Sequence, residues 1–254
     1  MIYETIKVRL QDSVCFVQFD RPEANNTICG RLVEECHDAL SAYEDSATVV
    51  VVSGSPEIFC LGADFADVTN PNGDRTQDDV PSLLYDLWLR LATGPYVTIA
   101  QVRGRVNAGG IGFVAACDIA LGDVTAQLSL SELLFGLYPA CVLPFLIHRI
   151  GFQKAHYLTL TTQPISGTRA CEMGLLDGCE SSVDRLLQRH LQRLRLLSKN
   201  AIRSYKAYVN RITVPLRDLK SPAVAANRDL FSDARNLHSI RRYVEHGVFP
   251  WESM

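Results

Sequence analysis

The sequence predicts an α/β domain followed by a C-terminal helical region, and three observations predict it. Short β-branched or apolar runs alternate with helix-period segments through the first half of the chain. The runs at 49–52 and 97–102 each lead to a glycine-rich turn and then a helical stretch. From Ser131 onward the pattern reads mainly helical. At 254 residues, 47% of them hydrophobic, the chain is long enough to bury one large core.

Taken in order, residues 6–10 and 14–19 alternate or run apolar around Gln11-Asp12-Ser13 and predict an antiparallel hairpin. Arg21-Pro22 ends it. Leu32, Cys36 and Leu40 share one face of a helix expected over 28–43. The run 49–52, bounded by Ser53-Gly54, reads as a buried strand. Residues 70–79, rich in Asn, Gly, Pro and Asp, read as a mobile loop. Pro81 suits the first turn of a helix running to about Ala92. Strands are expected at 97–102 and 118–121, and helices over 140–149, 152–162, 182–197, 199–212 and 222–246. No internal repeat or low-complexity tract interrupts them.

Composition excludes several classes of function. A net charge of −3 gives no global pull toward nucleic acid or anionic lipid. The first nine residues read as an alternating strand, so no leader peptide is expected. No apolar stretch approaches the roughly 20 residues of a membrane span. The eight cysteines form no C-x-x-C pair and sit among apolar neighbours, which predicts buried free thiols in a reducing cytoplasm and no zinc. The six histidines show no metal-ligand spacing, so no metal is expected. Charge is uneven, however: residues 185–242 hold 14 Lys+Arg against three acids.

Two glycine-rich turns carry the chemical interest. Phe59-Cys60-Leu61-Gly62-Ala63-Asp64-Phe65 follows the strand at 49–52, and Gly104-Arg105-Val106-Asn107-Ala108-Gly109-Gly110-Ile111-Gly112 follows that at 97–102. Each suits free backbone N–H groups at a helix start, and two such donors converging on one point make an oxyanion hole. Tight turns or close packing explain the glycines equally well. The second cluster is not G-x-G-x-x-G, so no dinucleotide site is supported. Glu132 precedes Leu133-Leu134-Phe135, and a carboxylate beside an apolar wall has the raised pKa of a proton-transfer group. Read plainly, it is a helix-start acid with Ser131 as cap.

These segments, with Phe19-Asp20-Arg21-Pro22, Cys117-Asp118-Ile119-Ala120 and Ser131-Glu132-Leu133-Leu134-Phe135-Gly136-Leu137-Tyr138-Pro139, occur in the order and spacing of the enoyl-CoA hydratase (crotonase) superfamily, which the chain resembles over nearly its whole length. The likeness is closest to the dehydratases of polyketide β-branching cassettes. It rests on residues 21–27, Tyr85-Asp86-Leu87-Trp88, Thr93-Gly94-Pro95-Tyr96, Val106-Asn107-Ala108-Gly109-Gly110 and residues 129–149.

The resemblance implies a crotonase (ClpP-like) fold: a stacked β-sheet spiral core with surrounding helices. The core would span 1–195 and a C-terminal helical trimerisation region 196–254, in a homotrimer or hexamer. It implies dehydration of a 3-hydroxy-3-methylglutaryl thioester to the 3-methylglutaconyl thioester. No cofactor is implied; the substrate rides on the phosphopantetheine of an acyl carrier protein. The thioester oxygen would sit between the N–H groups of Ala63 and Gly109, and Glu132 would be the family's second glutamate. Gly110, Asp64, Asn107, Tyr85 and Tyr138 are candidate substrate contacts. Against these stand a turn brace for Asp64, an Asx turn for Asn107 and core packing for the tyrosines. The family's first glutamate falls on Gly112 and is absent.

That departure argues against ordinary water addition to a free enoyl-CoA, since the group that positions water is missing. The remaining rival within the fold is decarboxylation of the methylglutaconyl product. Arg185, Arg189, Arg193, Lys199, Arg203 and Lys206 suggest a basic face for an acidic carrier, or only a solvated helix side. Residues 243–251 lack the cations with which relatives often hold free coenzyme A, which favours the carrier-tethered substrate.

Overall fold

The computed structural model describes residues 2–66, 80–213 and 215–252; the loop expected at 70–79 lies outside the described residues. Its strands are β1 (Ile6–Gln11), β2 (Val14–Phe19), β3 (Val49–Ser53), β4 (Ile58–Cys60), β5 (Val97–Val102), β6 (Arg105–Asn107), β7 (Ile119–Asp123), β8 (Gln127–Ser129), β9 (Ile165–Ser166) and β10 (Gly178–Glu180). Its helices are α1 (Gly30–Ala42), α2 (Val80–Thr93), α3 (Gly109–Ala116), α4 (Leu143–Ile150), α5 (Phe152–Thr161), α6 (Gly167–Met173), α7 (Val183–Leu194), α8 (Lys199–Ile212), α9 (Lys220–Ser232) and α10 (Ala234–His246). A 3-10 turn covers Glu132–Phe135.

The expected hairpin forms between β1 and β2. Asp12 and Ser13 hold φ of 49° and 62°, the positive pair that lets a two-residue turn follow the twist of its strands. β3, β5, β7 and β10 then add in parallel, giving the order β1-β2-β3-β5-β7-β10. Because strand side chains alternate between faces, the valines of β3 serve two cores. Val50 and Val52 face the main core. Val49 and Val51 face the other way and, with Ile99 and Leu121, pack under Leu186, Leu187 and Leu191 of α7.

A second sheet, ordered β4-β6-β8-β9, shares the main core through Phe59, Val106 and Leu128. The sequence reading did not contain it, because strands of two or three residues are too short to show a period. The reading from Ser131 onward also needs correction, since β9 and β10 interrupt the helices. The helix expected over 222–246 is two helices, broken at Asp233, whose carboxylate accepts from Arg235 N and caps α10. β7 starts at Ile119 because Asp118 is occupied elsewhere: its Oδ2 accepts from Thr98 N at 2.8 Å and Thr98 Oγ1 at 3.0 Å.

Asp118 also anchors the C-terminal region. Lys206 of α8 is buried and places Nζ 2.7 and 2.9 Å from the two Asp118 oxygens and 3.1 Å from Tyr96 O. Farther on, Ile240 and Tyr243 of α10 pack against Phe135, so the last helix covers the turn that begins with Glu132. All eight cysteines are free. Among the described residues no helix is long and apolar enough to cross a membrane, and no cluster of metal-ligating side chains occurs.

Candidate active site

The first turn is shaped by a bridge to residue 28. Ile28 N donates to Gly62 O at 2.7 Å, and Asp64 N donates to Ile28 O at 3.1 Å. This parallel pairing of Ile28 with Ala63 turns the Ala63 N–H away from Ile28, and Ala63 itself is exposed. Gly62 holds φ +87°, a conformation that glycine adopts at little cost.

The second turn ends on Ala108, with φ 51° and ψ −121°. A residue with a Cβ is costly there, and the turn it makes swings the chain directly into α3. Gly109 is the first residue of α3, so its N–H has no carbonyl one turn back. The two turns touch. A Cβ at Gly62 would lie 3.1 Å from Gly109 N and 2.7 Å from Ala108 Cβ, and one at Gly109 would lie 3.6 Å from Gly62 Cα. Gly110 serves close packing, since a Cβ there would meet Cys60 O at 2.3 Å.

Glu132 is tied to both turns. Asn107 Nδ2 donates to Ser131 Oγ at 2.8 Å, while Asn107 Oδ1 accepts from Ser129 Oγ at 2.9 Å. Phe135, three residues after Glu132, meets Phe65, two after Ala63, edge-on at 5.4 Å between ring centroids. The structure thus brings Ala63, Gly109 and Glu132 into one neighbourhood through three separate contacts. Asn107 makes a bridge here, not an Asx turn, and Ser131 makes no side-chain cap to the turn it precedes.

Part of Glu132 reaches the surface, but its Oε2 is shielded and has no hydrogen-bond partner. Burial pushes its carboxyl up to about 7, against a small opposing effect of its own backbone N–H. A carboxylate there is poised to accept a proton near neutral pH and to return it.

Other expected residues fall elsewhere. Asp64 is a brace: its Oδ2 lies 3.1 Å from Arg21 Nη2 and accepts from Thr27 Oγ1 at 3.0 Å. Tyr85 is buried in the core, where its hydroxyl donates to Leu216 O at 2.7 Å and its ring packs on Phe145. Tyr138 is exposed. The expected basic face is partly taken up, while Arg185 and Arg193 remain exposed. Lys206 is buried on Asp118, Lys199 donates to Glu44 O and Ala47 O, and Arg189 and Arg203 pair with Glu180 and Asp45. Moreover, α7 covers the sheet face opposite the core that receives α3, so its arginines do not border the site.

Nothing local in the sequence singles out Trp88. This side chain is fully buried and fills the space beside Gly112, where a Cβ would lie 2.3 Å from Trp88 Cζ2. Gly112 was the one available signal, for a missing side chain leaves room; which distant aromatic fills that room is not written locally.

The enoyl-CoA hydratase/isomerase family model matches residues 9–254. The chain is 56% identical to the bacillaene synthase dehydratase PksH of Bacillus subtilis (strain 168), over 98% of this chain and 97% of that protein. It is 29% identical to hydroxycinnamoyl-CoA hydratase-lyase of Pseudomonas fluorescens, over 69% of this chain and 66% of that protein. Among solved structures it is similar to a polyketide biosynthesis enoyl-CoA hydratase (PksH) from Bacillus subtilis. There the TM-score is 0.92 at 54% identity, covering 98% of this chain and 100% of that one. An enoyl-CoA hydratase from Bacillus halodurans shares the fold, with a TM-score of 0.85 at 18% identity, covering 94% and 99% of the two chains.

Proposed function

The chain belongs to the enoyl-CoA hydratase/isomerase family, and from that premise we propose that it removes water from a 3-hydroxy-3-methylglutaryl group held as a thioester on an acyl carrier protein. It is a hydro-lyase, a dehydratase of polyketide biosynthesis by its kinship with the bacillaene enzyme.

One observation carries the mechanism: Glu132 holds a shielded, unpartnered carboxylate oxygen, while the place of a second glutamate is taken by Gly112 and the Trp88 ring. One carboxylate suffices for a syn elimination. Glu132 takes the α-proton, and the C–H electron pair passes into the thioester as an enolate. The enolate oxygen is held by the N–H groups of Ala63 and Gly109. Glu132 then returns the proton to the β-hydroxyl, the C–O bond breaks, the enolate pair forms the C=C bond, and water leaves. Each donor to such an oxygen contributes about 3–4 kcal/mol to transition-state stabilisation. Asn107, through Ser131, holds the backbone that aims Glu132.

The test is mass measurement of the acyl arm after incubation with hydroxymethylglutaryl carrier protein and, separately, methylglutaconyl carrier protein. The expected result is loss of water from the first and no loss of carbon dioxide from the second. Decarboxylation of the second substrate alone would replace the reading with the rival one. Turnover of the free coenzyme A thioester at equal kcat/KM would remove the carrier protein from it.

A further inference from the structure

Gly112 lies one turn into α3, three residues after Gly109 and so about 4.5 Å along the axis from it. A Cβ in a helix tilts toward the N-terminal end. A side chain at position 112 would therefore lean toward the turn that carries the Gly109 N–H. In that space sits the indole of Trp88: the hypothetical Cβ would lie 2.3 Å from Cζ2, 2.5 Å from Cη2 and 2.7 Å from Cε2. Cε2 is the ring atom bonded to Nε1.

Trp88 is 1% exposed and its Nε1 has no acceptor. Its ring is fixed edge-on by Phe113 at 5.8 Å and Phe145 at 5.7 Å, so the N–H direction is set by packing. A buried donor without a partner is costly, and a catalytic role is one of the reasons such a group is kept. Among the described residues the buried side-chain atoms without partners are Trp88 Nε1, Glu132 Oε2 and Arg242 Nε. Arg242 reaches the C-terminal tail through Glu252 O. The other two are a donor and an acceptor: Trp88 packs beside Gly112 and Phe113 of α3, and Glu132 follows Ser131, which Asn107 holds just before the same helix.

We propose that Trp88 is a further catalytic residue: its Nε1–H donates a hydrogen bond to the β-hydroxyl oxygen of the substrate, where a hydratase would place its second carboxylate. The inference rests on the dehydratase reading. An indole N–H is a donor only. It orients the leaving oxygen toward Glu132 and stabilises the negative charge that grows as the C–O bond breaks, without taking the proton that Glu132 must deliver. No proton moves to or from Trp88, and the products remain the enoyl thioester and water.

The chain has two tryptophans, Trp88 and Trp251, so Trp251→Phe leaves one indole resonance. In a Trp251→Phe, Glu132→Gln protein that cannot turn over, 15N-indole NMR is recorded with two pantetheine thioesters, 3-hydroxy-3-methylglutaryl and 3-methylglutaryl. Binding of both is verified by calorimetry. The expected result is a downfield shift of the Trp88 indole proton with the hydroxylated ligand only. Equal shifts, or none, overturn the proposal.

A second arm replaces Trp88 by 3-benzothienylalanine, which keeps the ring shape and lacks the N–H. We expect kcat to fall roughly 100-fold with KM within a few-fold and the melting temperature retained. Unchanged kcat overturns the role of Trp88 alone. Wild-type protein that releases no water overturns the dehydratase reading beneath it.

Discussion

Trp88 and Gly112 are mutually exclusive in size: the indole occupies the volume that any side chain at position 112 would enter, and the nearest ring atom stands 2.3 Å from a Cβ built there. Trp88 is fully buried and also packs edge-on against Phe113 and Phe145. Restoring a second glutamate to this chain is therefore a packing problem before it is a chemical one.

Gly112→Ala is expected to destabilise the fold by about 1–3 kcal/mol, the usual cost of overpacking a core. Trp88→Phe alone costs a comparable amount by leaving a void. Combined, the two should cost less than their sum, because the smaller ring makes room for the methyl group. Urea unfolding of the four proteins measures this coupling. Strict additivity would show that the two residues do not share the space.

Glu132 titrates near 7 because it is shielded from water. In the proposed mechanism its deprotonated form is the base, so kcat/KM should rise with pH through an apparent pKa near 7 and level off above it. Glu132→Gln should abolish dehydration and remove that limb. The sign for stability is opposite. A carboxyl whose pKa is raised by folding binds more protons folded than unfolded, so stability falls as pH rises from about 4.5 to about 7. Above that window the buried charge costs about 3 kcal/mol, and Glu132→Gln should melt higher than wild type at pH 8 but not at pH 4. Equal melting temperatures at pH 8 would contradict the shielding.

Asn107 is hydrogen-bonded to Ser131, the residue before Glu132. Asn107→Ala leaves Ser129 Oγ and Ser131 Oγ without their partner and frees the turn that carries Glu132. Stability should fall by about 1 kcal/mol. The informative readout is kinetic: kcat falls about tenfold or more while KM stays close to wild type, because a base out of line slows proton transfer without weakening binding. An equal change in kcat and KM would assign Asn107 to binding.

Ala108 stores backbone strain at φ 51° and ψ −121°. Ala108→Gly removes about 1–3 kcal/mol of that strain and adds up to about 1 kcal/mol of unfolded-state entropy. The net expectation is a small gain in melting temperature. Activity should not rise with it, since a looser turn holds the Gly109 N–H less firmly.

Lys206 and Asp118 tie α8 to the strand pair β5 and β7. Lys206→Met leaves the Asp118 carboxylate with the Thr98 donors alone and strands the Tyr96 carbonyl. Breaking a buried pair from one side costs about 3–5 kcal/mol, at the lower end here because Asp118 is 30% exposed. Denaturation of Lys206→Met against Lys206→Met, Asp118→Asn checks it: the double variant should recover part of the loss.

Several features were legible in the sequence because they are local. Asp12-Ser13 marks the hairpin, the four valines of β3 mark a strand buried on both faces, and Gly62 marks a turn where a Cβ would not fit. The order of these motifs identified the family, and Gly112 stands where the resemblance expects a glutamate. The strands β4, β6 and β8 escaped because three residues make no pattern, and the charge stripe over 185–206 did not reveal that Lys206 is buried, because linear spacing does not tell a buried lysine from a solvated one.

What the sequence by itself supplied is the set of groups to which the proposed chemistry is assigned: two backbone donors, one carboxylate and a glycine where the family resemblance expects another carboxylate. Only the tertiary structure decided how they are used. It placed Asn107 against Ser131 from 24 residues away and Asp64 against Arg21 from 43 residues away. It buried one oxygen of Glu132 and laid the ring of Trp88 into the space beside Gly112. Those outcomes depend on which surfaces meet when two sheets and their helices close on one core. Burial, which sets the pKa of Glu132 and leaves the Trp88 N–H without a partner, is a property of that closure and of no single segment.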